Sequence, residues 1–232
     1  MSTDSTAVKQ PSADIKESIY QRVSNMAIKF EFRPGERINE GKLAKQLDVS
    51  RTPLREAMQQ LVSEKLLRWE RNKGFFCREL DEKEVFDLYE YRQLLEEQAV
   101  RLACRRATDE QLQEFADFYA GIHGIYQQDK TVANLKVDQQ FHETLARLSD
   151  NEEIVNALCN VNQRIYFMRW IDVTSEKVFE PSHKRIVEAV VDRREEEAVS
   201  LIGEHVSRRR EEISVSIRQA YGLIYTGQMP TE

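Results

Sequence analysis

The sequence holds four histidines, His123, His142, His183 and His205, and three of them stand in settings that suit a metal ion. Asp138 and His142 are four residues apart in the run Asp138-Gln139-Gln140-Phe141-His142. On a helix that spacing puts a carboxylate and an imidazole on one face, one turn apart, able to clamp a cation. His183 opens an apolar stripe with Ile186, Val187 and Val190, and His205 continues one made of Ala198, Leu201 and Ile202. Both therefore point toward a bundle interior. If the two helices carrying them turn about residues 192–194, each lies about ten residues from the turn, at a similar height. Spacing alone leaves two readings open: a shared ion, or histidines that are hydrogen-bonded core residues. His123, between Gly121 and Gly124, has no such neighbours and is read as structural.

A second set of residues suits a polyanion. Arg51 and Arg55 are four apart at the start of a helical segment and share one face. An arginine fork can bond guanine O6 and N7 or clamp a phosphate. Ser50 and Thr52 can donate to phosphates beside the helix start, whose N–H groups attract anions. Arg33, Lys42, Lys45, Arg71, Lys73 and Gly74 are candidates for backbone contacts. The alternative is a set of solvated charges on a small structural domain.

The elements that position these groups follow from periodicity. Residues 13–29 carry Ile15, Ile19, Val23, Met26 and Ala27 at helical spacing, until Phe32-Arg33-Pro34-Gly35 breaks the pattern. A short helix over 40–47 buries Leu43, Ala44 and Leu47. Ser50 is placed to cap the next helix through its hydroxyl, with Pro53 in the first turn, and that helix runs to about Ser63. Leu66 to Glu70 and Phe75 to Glu79 read as strands joined by Arg71-Asn72-Lys73-Gly74, a hairpin signal. Helix, helix, turn, helix, hairpin is the order of a winged helix-turn-helix, whose third helix enters the major groove. From Asp81 onward the pattern is helical, over 82–106, 109–127, 131–148, 151–171, 175–192 and 195–221. The expected fold class is mainly α: a winged helix-turn-helix over 13–80, then an all-α bundle of six to seven helices over 81–232, with residues 1–12 as a disordered tail.

Composition agrees. The 232 residues carry a net charge of −6, but residues 1–80 hold 15 basic against 11 acidic residues and the remainder 19 against 29. A basic segment on an acidic body fits a DNA-reading module with a separate sensor. No stretch is apolar for the 18 to 20 residues, roughly, that span a bilayer, and the polar start does not read as a signal peptide. Three cysteines without a CxxC pair point to a reducing, cytoplasmic setting, not to a disulfide framework.

The stretch from Gly35-Glu36-Arg37-Ile38 through Val49-Ser50-Arg51-Thr52-Pro53-Leu54-Arg55-Glu56-Ala57, with the hairpin ending in Gly74-Phe75-Phe76, resembles the GntR family of bacterial regulators over residues 14–80. One departure is visible: Lys65 stands where the family usually has glycine. Residues 85–216 resemble the FCD domain of the FadR branch, through Tyr91-Arg92-Gln93-Leu94-Leu95-Glu96, Asp138-x-x-Phe141-His142, His183-Lys184-Arg185-Ile186, Ala189 and His205. In metal-binding members an Asp and three His occupy these positions, so the resemblance implies Asp138, His142, His183 and His205 as ligands. Zinc is the first expectation, with nickel, manganese and iron as alternatives.

The resemblance further implies a homodimeric regulator, by family habit a repressor, that reads two half-sites of a double-stranded DNA operator. It also implies a small organic acid effector, bound by the metal and an arginine, for which Arg92 and Arg164 are candidates; the alternative for either is pairing with Glu96 or another acid. Two other functions are weighed against this one: a hydrolase-like domain whose metal activates water, and a regulator whose metal is a structural staple.

Overall fold

A computed structural model describes residues 13–123, 132–174, 180–208 and 210–227. The expected tail over 1–12 lies outside the described residues, as does the side chain of His123. The chain divides into two compact units, one ending at Glu79 and one beginning at Leu80.

The first unit is α1 (Ala13–Ile28), α2 (Glu40–Leu47), α3 (Arg51–Ser63), β1 (Leu67–Glu70) and β2 (Gly74–Cys77). Ile19, Val23, Leu43, Leu47, Leu54, Met58, Leu61 and Phe75 form its core. Ile15, expected on the inner face of α1, is 50% exposed, one turn ahead of where the packed stripe begins. The two strands pair antiparallel, with Leu67 opposite Cys77 and Glu70 opposite Gly74. A third segment, unmarked by any pattern in the sequence, completes the wing. Ile38 N–H donates to the Phe75 carbonyl at 2.8 Å and Cys77 N–H to that of Glu36 at 2.9 Å.

Lys65 takes a left-handed conformation, φ 61°. Its N–H donates to the Val62 carbonyl, and that of Leu66 to the Leu61 carbonyl. This is the double closure with which helices end when the residue after the cap is left-handed, normally a glycine. The family's glycine preference at this position is thus a backbone requirement, and here a lysine meets it at some steric cost.

The second unit is α4 (Glu82–Arg106), α5 (Asp109–His123), α6 (Val132–Arg147), α7 (Glu152–Arg164), α8 (Tyr166–Thr174), α9 (Glu180–Val191), α10 (Glu195–Val206) and α11 (Arg210–Thr226). The Asp81 carboxylate caps α4 by accepting from Glu84 N–H at 2.8 Å. This long helix is the spine, packing against α6, α7, α9, α10 and α11. Phe115, Phe141, Ile186, Val190 and Ile202 lie in the main core. Among the described residues the second unit has eight helices where six or seven are expected. The segment over 151–171 breaks at Ile165, where α7 ends and α8 begins, and the one over 195–221 breaks at Ser207 and Arg208. Neither break contains Gly or Pro, so hydrophobic periodicity carries no sign of it.

Candidate nucleic-acid interface and metal centre

In the first unit, Arg51, Thr52 and Arg55 lie exposed on α3. They line a shared concavity with Arg37, Asn39, Gly41, Lys73 and Gly74. The Arg55 guanidinium stands 3.8 Å from the Glu40 carboxylate. Arg51 lies across α2 because Gly41 has no side chain: a Cβ there would meet Arg51 Nη2 at 2.9 Å. Lys73, at the wing tip, donates to Glu70 at 2.9 Å. Gly74 has φ +94°, a conformation that favours glycine. Arg33 is exposed in the turn before α2, and its N–H donates to Glu36 at 3.0 Å. Arg37, which sequence reasoning passed over, faces the same concavity as Arg51 and Arg55.

Ser50 occupies the cap position of α3, but its hydroxyl makes no capping hydrogen bond. That corrects the expectation, and the reason lies three residues on. A cap serine accepts from the second or third helical N–H, and the third position is Pro53, which has none.

In the second unit, three helices bring four side chains together. Asp138 and His142 come from α6, His183 from α9 and His205 from α10, and one ligand atom of each lies within 4.8 Å of all the others. His183 Nε2 stands 3.0 Å from His205 Nε2, which stands 3.3 Å from His142 Nε2. Asp138 Oδ1 is 3.3 Å from His183 Nε2. Asp138, His142 and His183 are buried, and His205 is partly so.

A further set of groups fixes how these side chains face. Glu96 Oε2 contacts His142 Nδ1, and Glu96 Oε1 accepts from Arg92 Nε at 2.6 Å. Arg169 Nη2 donates to Asp138 Oδ2 at 2.6 Å, and Ser182 Oγ pairs with His205 Nδ1 at 2.8 Å. Burial opposes charge on His142 and lowers its pKa, against the pull of Glu96. Burial, with His183 and His142 close by, holds His205 well below the usual imidazole range. Burial would raise the Asp138 carboxyl, but His142, His183 and Arg169 outweigh it and keep it far below its usual value. The result is an ionised Asp138 carboxylate beside two imidazoles, His142 and His205, whose charged forms burial disfavours, and metal ligation needs the deprotonated forms of such groups.

The donor set fits one ion. Two ligands about 2.1 Å from a common ion stand ~3.0 Å apart at a right angle and ~3.4 Å apart at the tetrahedral angle. A carboxylate at His142 Nδ1 keeps that proton in place, leaving the Nε2 lone pair aimed at the centre. Ring nitrogens facing one another at such distances need either a proton or a metal ion between them. Asp138 Oδ1, buried at the same centre, accepts no hydrogen bond.

Beside the centre runs a narrow cleft with a cavity volume of only about 10 Å³, room for about one water. Tyr89, Arg92, Asp138, His142, Arg169, Asp172, His205, Val206 and Arg208 line it. Arg92 reaches it. Arg164 does not: it ends α7, where its Nη2 donates to Glu84 at 2.6 Å. Arg169, Asp172 and Arg208 went unnoticed in the sequence because they follow the two unmarked helix breaks.

The bacterial regulatory protein gntR family model matches residues 15–77 and the FCD domain model residues 87–208. The chain belongs to the GntR family, with an FCD domain. It is 43% identical over 206 residues to the Nta operon transcriptional regulator of Aminobacter aminovorans, covering 87% of this chain and 95% of that one. Another relative, the uncharacterized HTH-type transcriptional regulator YdhC of Bacillus subtilis (strain 168), is 34% identical, covering 77% and 82%. Among solved structures, E. coli McbR/YncC shares the fold at TM-score 0.65 and 18% identity, over 94% of this chain and 100% of that one. A putative GntR regulator from Rhodococcus sp. RHA1 does so at 0.60 and 20%, over 90% and 99%. This GntR/FCD protein is a DNA-binding transcriptional regulator and not an enzyme. Among the described residues no helix is long and apolar enough to cross a membrane.

Proposed function

We propose that this regulator is a cytoplasmic, homodimeric repressor whose affinity for a double-stranded DNA operator is set by a small organic acid bound beside a divalent metal ion. Arg51 and Arg55 read base edges in the major groove, two protomers covering two half-sites. Ser50, Thr52, Arg33, Lys73 and Gly74 hold the sugar-phosphate backbone. The unused hydroxyl of Ser50 supports this reading, since a cap serine bonded within its own helix has less to offer a phosphate.

Asp138, His142, His183 and His205 hold the ion, zinc before nickel, manganese or iron. The observation that carries the proposal is the convergence of three imidazole Nε2 atoms and an unsatisfied buried carboxylate oxygen on one point. An ion there retains coordination positions for water or an effector carboxylate, with Arg92 at the edge of the cleft. The effector acts by binding the DNA-competent and DNA-released arrangements with different affinity.

Metal analysis of the purified protein, followed by operator-binding titrations with and without chelator and organic acids, tests the proposal. One bound ion per chain and an acid-dependent shift in operator affinity are expected. If metal removal unfolds the protein, and no acid changes the DNA affinity of the loaded form, the ion is a staple instead.

A further inference from the structure

We propose that Glu40 is a specificity-determining residue of the DNA-reading face, holding Arg55 for a base edge and denying that arginine a phosphate. The inference rests on the base-reading role given to Arg55 above. Glu40 opens α2, where the N–H groups of the first helical turn favour a carboxylate. It lines the same concavity as Arg37, Arg51, Arg55 and Lys73, so an anionic side chain stands among four cationic ones. On a surface that meets a polyanion such a group lowers affinity, so its use must lie elsewhere. Glu56, the other carboxylate of the concavity, is accounted for by its pair with Lys16 of α1 at 2.8 Å.

The Glu40 carboxylate reaches both the recognition helix and the wing. Its Oε2 stands 3.8 Å from Arg55 Nη1. Its Oε1 lies 3.9 Å from the point that a Cβ on Gly74 would occupy. Arg55 is held on its other side by Phe75, whose ring centroid is 6.0 Å from the guanidinium carbon. The Arg55 and Glu40 side chains are 53% and 27% exposed, and a pair so open and so long adds little to folding. Its consequence is for binding.

A guanine edge carries no net charge, so Arg55 can bond it while the carboxylate stays beside the guanidinium. A phosphate drawn to Arg55 would instead face Glu40 across a short gap. Two like unit charges about 4 Å apart in water repel enough to shift an equilibrium roughly five- to sixfold, and more where DNA excludes solvent. Every duplex offers phosphates, but only the operator offers the guanine in register. A repulsive group aimed at the common feature therefore separates two affinities that attraction alone would leave close.

The test compares two duplexes of equal length, one that the full-length wild-type protein selects from a randomised pool and one of scrambled sequence. Fluorescence anisotropy across salt concentrations gives both affinities. Glu40→Gln is expected to tighten binding to the scrambled duplex about three- to tenfold and to lower the ratio of the two affinities by a similar factor. The salt slope on the scrambled duplex should steepen by about one as Arg55 gains a phosphate, and in an Arg55→Ala background that steepening should vanish. Glu40→Ala should move the ratio the same way, and Glu56→Gln should leave it within about twofold. If Arg55→Ala binds the selected duplex as wild type does, the base-reading role itself fails. If Arg55→Ala weakens that binding, but the Glu40 variants keep the wild-type ratio and slope or weaken both duplexes alike, the inference about Glu40 is overturned.

Discussion

Replacing Glu96 with Gln changes one atom in the bundle and sets two bonding requirements in conflict. The carboxylate accepts from Arg92 Nε with one oxygen and faces His142 Nδ1 with the other, and both side chains are buried. A glutamine can keep its carbonyl oxygen on Arg92 and then offers an NH₂ to Nδ1. That moves the imidazole proton to Nε2, the nitrogen that faces the ion. Turned the other way, it keeps the tautomer but sets NH₂ against a guanidinium.

Either arrangement weakens metal binding, and loss of such a partner typically costs 10- to 100-fold in affinity, about 1.4–2.7 kcal/mol. The metal-free fold also loses about 1–3 kcal/mol, less than for a charge left wholly unpaired because the amide still accepts from Arg92 in one rotamer. Calorimetric titration with Zn²⁺ measures the first quantity and urea unfolding of the metal-free protein the second. Glu90→Gln, on the exposed face of the same helix, is the control and should stay within about 0.5 kcal/mol of wild type. A folded Glu96→Gln protein with wild-type metal affinity would refute the claim that Glu96 sets the His142 tautomer.

Three further outcomes are expected. Arg51→Ala and Arg55→Ala should each weaken operator binding by about 1–3 kcal/mol, read by fluorescence anisotropy across salt concentrations. A loss confined to operator sequence marks base contact, whereas a uniform loss with a salt slope shallower by about one marks phosphate contact. Lys65→Gly should stabilise the first unit by about 0.5–1 kcal/mol in urea unfolding, because the left-handed strain outweighs the added freedom of the unfolded chain. Burial pushes the Cys77 thiol up to about 12 and that of Cys159 to about 11. At pH 8 only ~1 in 10⁴ and ~1 in 10³ are thiolate, so neither should react with Ellman's reagent until the protein unfolds.

Much of the fold is legible in the sequence where local and global preferences agree. The spine helix begins at a capping Asp81 and ends with Arg105 and Arg106 in its last turn, and its expected bounds are those observed. The four converging side chains carry a signal too: the four-residue interval between Asp138 and His142, and the apolar company of His183 and His205. The rest depends on tertiary contact. Nothing local marks the break at Ile165, so Arg169 and Asp172 look like ordinary positions on a longer helix. Arg92 and Glu96 stand four apart, which suggests a pair, but the second role of Glu96 comes from a histidine 46 residues away. Arg37 gains its place because a strand-like segment joins the wing through backbone bonds that side-chain patterns do not encode.

The missing cap on the recognition helix has a dynamic consequence. Away from the operator, the leading turn of α3 lacks a serine clasp, so the amides of Arg51 and Thr52 should exchange quickly with deuterium. A phosphate oxygen arriving there supplies the absent acceptor, and those amides should slow sharply once bound. Ordering of the reading helix and engagement of DNA then become a single event. Proline at the third helical position trades a little resting rigidity for a turn that tightens only on its target.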